Sequence, residues 1–125
     1  MAEPVSDGPR VILPANGARH RLEVTPGGAA IVRLSDDSVV GDVSFSLAES
    51  NLAIACIAIE EGARGFGAGS EAIRLLLDAA SGISTATAVA PPGLGLPVYF
   101  WSRMGFRPLF GTGEGGGLRF FRDMR

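Results

Sequence analysis

One apolar stretch of the chain is followed by a clear helical repeat. Residues 52–59 read Leu-Ala-Ile-Ala-Cys-Ile-Ala-Ile and carry no charge, a pattern typical of a strand buried on both faces of a sheet. From Ser70 the apolar positions are spaced three and four residues apart, through Ile73, Leu76 and Ala80, with charged residues on the opposite side. That spacing predicts an amphipathic helix between these positions.

The remaining apolar stretches predict further strands and one more helix. The predicted strands are 10–13, 20–24, 29–34, 39–47, 83–90, 106–110 and 118–121, with turns where Gly and Pro cluster. A second helix begins at Pro97 and ends before Gly105. Gly41, inside a strand, marks a bulge or a close approach of two backbones.

These elements predict one domain. The strand–helix–strand order over residues 52–90 implies parallel pairing with a right-handed crossover. The predicted fold class is α/β, a mixed, mostly antiparallel β-sheet with a parallel βαβ centre. A length of 125 residues allows a single domain over residues 1–125, with residues 1–18 irregular.

A glycine-rich turn joins the apolar strand to its helix. It reads Glu-Glu-Gly-Ala and then Arg64-Gly-Phe-Gly-Ala-Gly69. The first turn of a helix has N–H groups without intrahelical partners, and glycine lets an anion approach them closely. Arg64 adds a cation, so the turn predicts a phosphate or pyrophosphate site. A P-loop needs a lysine, which the chain lacks, and Ser70 replaces the third glycine of a dinucleotide-binding turn.

The turn resembles the acyl-coenzyme A loop of the GCN5-related N-acetyltransferases (GNAT). Arg64, Gly67 and Gly69 match the pattern of Arg or Gln, two residues, Gly, any residue, then Gly or Ala. Downstream, the segment 100–108 is similar to the aromatic-x-x-x-Gly-Phe segment that closes the family fold, with Gly105 in the glycine position. The resemblance covers roughly residues 29–125 and rests on the order and spacing of both motifs.

The resemblance implies a function and a set of donor contacts. It implies transfer of an acetyl group from acetyl-CoA directly to a primary amine, on a small molecule or a protein N-terminus. Splayed strands would expose backbone groups to the pantetheine arm, and loop amides would bind the pyrophosphate. The implied donor-binding residues are Ile57, Ala58, Ile59, Arg64, Gly65, Phe66, Gly67, Ala68, Gly69, Ser70 and Trp101.

The chain departs from the family pattern at the residues that would handle protons. Where the family places a tyrosine, this chain has Trp101, which has no acidic proton near pH 7. Trp101 would pack against the pantetheine or within the core. Tyr99 lies two residues earlier, roughly 200° around an ideal helix, and is either a general acid or a core-edge residue. Glu60 and Glu61, after the central strand, are candidate general bases or solvated turn residues.

Other polar residues give weaker signals. Asp42 and Glu49 are secondary acceptor-side candidates, and His20 is expected to be a surface or capping residue. The single cysteine, Cys56, excludes an internal disulfide and is expected to be buried. No His, Cys, Asp and Glu cluster has metal-ligand spacing.

One departure from the family pattern concerns the acceptor side. The family has two helices between its first and second strands, but fewer than thirty residues precede Ala29 here, and they are rich in Pro and Gly. Those helices are therefore expected to be reduced or missing. The acceptor side would then be open or completed by a second subunit, so a homodimer is a further expectation.

Charge and composition limit the partners. A net charge of −2 gives no general attraction to nucleic acid or to an anionic membrane. No leader or membrane-spanning pattern is evident, so the expected location is the cytoplasm. Two other hypotheses stay open: a module that binds acyl-CoA or a partner without turnover, and a nucleotide-binding fragment.

Overall fold

In a computed structural model, we describe residues 8–90, 95–109 and 118–124, with only the backbone of residues 95–98. These residues form ten β-strands and two α-helices. The strands are β1 Arg10–Val11, β2 Ala15–Asn16, β3 His20–Thr25, β4 Gly28–Arg33, β5 Val39–Ala48, β6 Asn51–Ile59, β7 Ala80–Ser81, β8 Thr85–Ala90, β9 Arg107–Leu109 and β10 Leu118–Asp123. The helices are α1 Ala68–Ala79 and α2 Gly95–Arg103, and a single 3₁₀ turn, Glu61–Ala63, precedes α1.

Eight of the strands form one mixed sheet in the order β2-β3-β4-β5-β6-β8-β10-β9. Every neighbouring pair is antiparallel except β6 and β8, which are parallel and joined through α1. The predicted α/β class with a parallel βαβ centre is confirmed. The short strands β1 and β7 pair separately.

The hairpins at the start of the sheet explain why the two helices of the family pattern are missing. β4 and β5 form the predicted hairpin, and Gly41 marks a close approach, because a Cβ there would collide with the carbonyl oxygen of Ala58. Only Pro26 and Gly27 separate β3 from β4, with Gly27 at a φ of 85°. A two-residue turn leaves no room for two helices, so the expectation that they are reduced or missing is confirmed.

Both helices pack on one face of the sheet. The buried cluster contains residues of the sheet together with residues of the two helices and of the turn after α2. The sheet contributes, among others, Ile31, Val43, Leu52, Ile54, Ala88 and Phe120, and the helices and turn contribute Ile73, Leu76, Trp101 and Phe106. In the ladder, Ile54 pairs with Ala88 and Ala88 with Phe120, so these side chains share a face. This face holds the core.

No element among the described residues covers the opposite face of the three central strands. We call it the open face, and on β5, β6 and β8 it consists of Asp42, Ser44, Ser46, Ala48, Asn51, Ala53, Ala55, Cys56, Ala58, Thr85, Thr87 and Val89. None of these residues is buried. An antiparallel sheet tolerates such a face because its outward side chains can be small or polar.

The open face corrects two expectations about β6. Leu52 and Ile54 are buried, but Ala55, Cys56 and Ala58 are exposed, so the strand is not buried on both faces. Cys56 is an exposed thiol and not a buried hydrophobic residue. The reason is that no described helix covers this side, and small side chains there cost little apolar exposure.

The helix boundaries differ slightly from the predicted ones. α1 begins two residues before Ser70, and α2 begins two residues before Pro97. Gly105 has a φ of 88° and follows the end of α2, as predicted for a helix-ending glycine. The predictions made for residues 1–7, 91–94 and 110–117 lie outside the described residues.

Candidate donor-binding site

The glycine loop between β6 and α1 is shaped by two left-handed residues. Gly65 has a φ of 88° and Gly67 a φ of 80°, a region that side-chain-bearing residues rarely adopt. Gly67 immediately precedes α1, and no side chain caps the helix there. The chain therefore turns sharply into α1, and the first amides of this helix have no side-chain cap.

These amides have no acceptor within the described part of the chain. No hydrogen bond is found for the N–H groups of Phe66, Gly67, Ala68, Gly69 and Ser70 there, and the first partnered amide of the helix is that of Glu71, 3.0 Å from the carbonyl oxygen of Gly67. Phe66 and Gly67 are exposed, whereas Ala68 is buried. Free N–H groups together with the positive end of the helix dipole suit an anion with several oxygens.

The sheet opens beside this loop. Residues Asn51 to Ile54 of β6 pair with residues Thr85 to Ala88 of β8, and the pairing of the two strands stops after Ile54 and Ala88. The last residues of β6 remain paired with β5, up to Ile59 opposite Gly41. One edge of the backbone over residues 55–59 therefore has no partner strand among the described residues.

A β-bulge accompanies this opening. The β5–β6 register passes from Phe45–Ile54 to Ser44–Cys56, so Ala55 is an extra residue in β6. Bulges bend and twist the strand that carries them. This bend coincides with the end of the β6–β8 pairing.

The predicted donor contacts on β6 differ in their surroundings. Ala58 is exposed, and Ile57 and Ile59 are half-buried and pack against the core. The carbonyl oxygen of Ile59 accepts a hydrogen bond from Nε of Arg64 at 3.1 Å. Arg64 therefore lies over the end of the strand, with its exposed guanidinium directed by that bond.

A partly buried carboxylate ties the first turn of α1 to the start of β3. Glu71 accepts hydrogen bonds from the amides of Ala18 at 2.5 Å and Arg19 at 3.2 Å, and one oxygen lies 2.7 Å from Nδ1 of His20. Gly17 leaves room for this contact, because a Cβ there would overlap the carboxylate and displace it. The contact holds the helix end that follows the glycine loop.

The same contact sets the charge state of the carboxylate. Burial acts to raise the pKa of Glu71, but the hydrogen bonds from His20, Arg19 and Ala18 outweigh it and leave that pKa below its usual value. His20 is 4% exposed, so the expectation of a surface residue was wrong. No local pattern links residues 51 positions apart, and sequence reasoning missed the pair.

A cavity of about 520 Å³ lies next to the loop. It is lined by Ala18, Arg19, His20, Arg33, Leu34, Ser35, Ala63 and Phe66. Phe66, within the loop, is 65% exposed. The cavity thus connects the glycine loop to the region around the His20–Glu71 contact.

The candidate proton-handling residues are not brought together by direct contacts. Glu60 and Glu61 are exposed beside the end of β6, and the amide of Glu60 donates to the carbonyl oxygen of Val40 at 2.8 Å. Tyr99 is 63% exposed, and the guanidinium of Arg103 lies 5.7 Å from its ring centroid. No hydrogen bond joins Tyr99 to either glutamate in the described part of the chain.

Trp101 belongs to the core. Its side chain is 3% exposed and makes edge contacts with Phe100 and Phe106, each with ring centroids 5.0 Å apart. Of its two expected environments, the core is the one observed. As predicted, Tyr99 faces a different side of α2.

Solved structures share this fold. An acetyltransferase from Thermus thermophilus is 20% identical, with a TM-score of 0.68 over 84% of this chain and 64% of that one. An acetyltransferase of the GNAT family from Staphylococcus aureus Mu50 is 16% identical, with a TM-score of 0.64 over 79% of this chain and 69% of that one. The chain has the GNAT fold. It spans less than two thirds of the T. thermophilus protein.

A third GNAT-fold neighbour was solved with a ligand. Arabidopsis thaliana Naa50, in complex with the bisubstrate analogue CoA-Ac-MVNAL, is 16% identical, with a TM-score of 0.59 over 74% of this chain and 69% of that one. No protein-family model matches the sequence, and neither does any curated protein sequence. The similarity therefore establishes the fold.

The described residues hold neither a metal-binding cluster nor a membrane-spanning helix. They contain no group of three His, Cys, Asp or Glu side chains placed to hold a metal ion. None of the helices in that part of the chain has the length and apolar character needed to span a membrane.

Proposed function

We propose that the chain is an acyl-CoA-dependent N-acyltransferase of the GNAT family that transfers an acetyl group from acetyl-CoA to a primary amine. The observation that carries the proposal is the row of unpartnered amides from Phe66 to Ser70 beside the opening between β6 and β8, within the part of the chain that the structure describes. The amides would bind the diphosphate of the donor. The free edge of residues 57–59 would hydrogen-bond the pantetheine arm and direct the thioester along the opening.

The reaction would be a direct transfer. The amine nitrogen attacks the thioester carbonyl carbon, the carbon–sulfur bond breaks, and the sulfur leaves as a thiolate that takes up a proton. Glu60 or Glu61 would accept the proton of the amine, because both are exposed beside the end of the donor-binding strand. Tyr99 is the candidate donor of a proton to the thiolate. Much of the acceleration would come from holding the two reactants in line.

A donor-binding module without turnover is the second candidate. The observation that favours it is the state of α2: Trp101 occupies the usual tyrosine position but is buried, and Tyr99 faces solvent with Arg103 against its ring. Release of free thiol from acetyl-CoA in the presence of primary amines separates the candidates. Because Cys56 is exposed and would react with a thiol reagent, the assay needs a Cys56→Ser background. Saturable acetyl-CoA binding without thiol release would favour the module.

Donor binding itself is tested by two matched glycine variants. Gly67 and Gly27 have similar φ values, 80° and 85°, and an added Cβ meets nothing within 4 Å at either position. Ala in this region costs roughly 1–2 kcal/mol at both sites. We expect Gly67→Ala, but not Gly27→Ala, to weaken CoA binding about tenfold or more in titration calorimetry. Equal affinities for the two variants would overturn the proposal, and so would tighter binding of ATP or NAD than of CoA.

The acceptor and the assembly remain proposals. An amine-bearing small molecule or a protein N-terminus would approach from the side left open by the two-residue turn at Pro26 and Gly27. The proposed location is the cytoplasm. A homodimer would be detected by sedimentation of the full chain at several concentrations.

A further inference from the structure

A second cavity lies away from the glycine loop, toward the other end of α1. It has a volume of about 330 Å³ and is lined by residues from the second half of α1, from the end of α2 and the turn after it, and from β10 and the residue that follows it. Asp78, in its wall, is eleven residues after Gly67, which is about 16 Å along the axis of a helix. Among the described residues, none lines both this cavity and the one beside the loop.

Four charged side chains line this cavity, and three of them are arginines. Arg74 is on α1, Arg103 on α2 and Arg122 on β10, and Asp78 of α1 is the one carboxylate. None of the three guanidinium groups forms an ion pair with a carboxylate of the described residues, and that of Arg103 contacts the ring of Tyr99. Three positive groups against one negative group favour an anionic ligand. We call this space the arginine cavity.

The turn after α2 holds the guanidinium of Arg122 in place. Its Nη1 donates a hydrogen bond to the carbonyl oxygen of Met104 at 2.8 Å, and the side chain is half-buried. Gly105 leaves room for it, because a Cβ there would lie 3.3 Å from the guanidinium carbon. A guanidinium has five N–H donors, and Met104 is the one acceptor found for them in the described residues. The other donors are therefore positioned before a ligand binds, which lowers the entropic cost of binding an anion.

The rest of the lining is apolar. Leu77 and Met104 are buried, and Met124 is half-buried. Apolar walls, a few charged groups and a volume above about 300 Å³ are typical of a site for a small organic molecule. An inorganic anion would leave these walls uncovered, whereas an anion with a carbon frame would bury apolar surface against them.

We propose that the arginine cavity binds a small organic dianion, a molecule with two carboxylate or phosphate groups on an apolar carbon frame. Arg122 binds one anionic group through paired N–H donors, and Arg74 or Arg103, from the helices, binds the other. The carbon frame packs against the apolar walls. Asp78 disfavours a third anionic group on its side of the cavity. The site shares no described residue with the glycine loop, so its occupancy does not depend on the proposed transferase function.

Methionine methyl NMR signals report binding at this cavity directly. Two of the three methionines in the chain, Met104 and Met124, line it, and a Met124→Leu variant assigns their signals. Adipate and hexanoate both have six carbons but carry two carboxylates and one. We expect adipate to shift both methyl signals saturably, with a Kd about three- to fivefold below that of hexanoate. Butane-1,4-diyl bisphosphate has two phosphates on the same four-methylene chain, and the tighter of the two dianions identifies the preferred anionic group.

Arginine variants assign the contacts. Arg122→Gln should weaken adipate binding about tenfold or more, because it removes the positioned donors. Arg103→Gln, at an exposed position, should weaken it about three- to fivefold. Arg122→Lys keeps the charge without the paired donors and should recover part of the lost affinity. The matched control is Arg119→Gln, an exposed arginine of the same strand outside the cavity, which should keep the wild-type affinity.

Urea denaturation checks that each variant is folded. If loss of the bond to Met104 unfolds Arg122→Gln, the exposed Arg74→Gln and Arg103→Gln variants carry the test. Methyl signals that neither dianion shifts saturably would overturn the proposal, as would equal Kd values for adipate and hexanoate. Wild-type affinity in all the folded cavity variants would also overturn it. An equal loss of affinity in Arg119→Gln would show general attraction to a cationic surface and would overturn it as well.

Discussion

Removing the Glu71 carboxylate should destabilise the fold at the point where α1 meets the start of β3. The carboxylate serves three donors at once, the amides of Ala18 and Arg19 and Nδ1 of His20. Only 17% of the Glu71 side chain and 5% of that of His20 remain exposed. In Glu71→Ala the buried His20 and the exposed amides of Ala18 and Arg19 would lose this acceptor.

The expected magnitude follows from those three contacts. A hydrogen bond to a charged group contributes ~1.5–3 kcal/mol, but three bonds to one carboxylate are not additive. We therefore expect Glu71→Ala to lower the free energy of unfolding by about 2–4 kcal/mol. Glu71→Gln keeps one acceptor oxygen, and we expect it to cost about half as much.

Urea denaturation at neutral pH measures both changes, with Asp78→Asn as the control on the same helix. The control should lie within about 0.5 kcal/mol of the wild type, because Asp78 is exposed. The Glu71 variants should also bind CoA more weakly, since the contact holds the helix end beside the glycine loop. Stabilities of Glu71→Ala and the wild type that agree within error would refute this reasoning.

The pH dependence of the free energy of unfolding checks independently that the ionised form of Glu71 stabilises the fold. The folded-state pKa of Glu71 is below its ordinary value of 4.5, because the folded protein bonds the ionised form. This contribution to stability is therefore complete above about pH 4.5 and is lost as the pH falls through the folded-state pKa. The stability difference between wild type and Glu71→Gln should shrink on acidification below that point. A difference that grows on acidification would contradict the assignment.

Three further predictions concern the core and the open face. Trp101→Ala should lower the free energy of unfolding by about 3–5 kcal/mol in urea denaturation, as expected for a large core side chain, and a loss below about 1 kcal/mol would contradict its core position. Gly41→Ala should destabilise the β5–β6 pairing more than Gly27→Ala does, because its Cβ meets the backbone of Ala58 whereas that of Gly27 meets nothing, and the two unfolding midpoints compare them. Cys56 should react with a chromogenic disulfide reagent at the same rate in native protein as in urea-unfolded protein to within about tenfold, whereas a strongly protected thiol would show that this face is covered.

The parts of the fold that were predictable depend on local patterns. The spacing of Ile73 and Leu76 predicts α1 because an amphipathic helix needs one apolar stripe wherever it packs. Gly65 and Gly67 predict the turn because few other residues adopt positive φ. The turn at Pro26 and Gly27, which leaves no room for two helices, was predictable because Pro and Gly favour turns.

The parts that were not predictable depend on which surfaces meet. Residues 55–58 are apolar but small, and an apolar strand pattern does not show whether a second layer covers it. Cys56 was therefore assigned to the core although it lies on the open face. The contact between His20 and Glu71 joins residues 51 positions apart and follows from the tertiary fold alone.

The central claim is that the amides from Phe66 to Ser70 bind the diphosphate of the donor. Two-dimensional amide NMR spectra of the full chain, titrated with CoA and separately with pantetheine, test it most directly. The account predicts that CoA shifts the amide signals of residues 66–70 most, and that pantetheine, which lacks the diphosphate, leaves them nearly unchanged. Loop signals that stay in place while CoA binds elsewhere would contradict it.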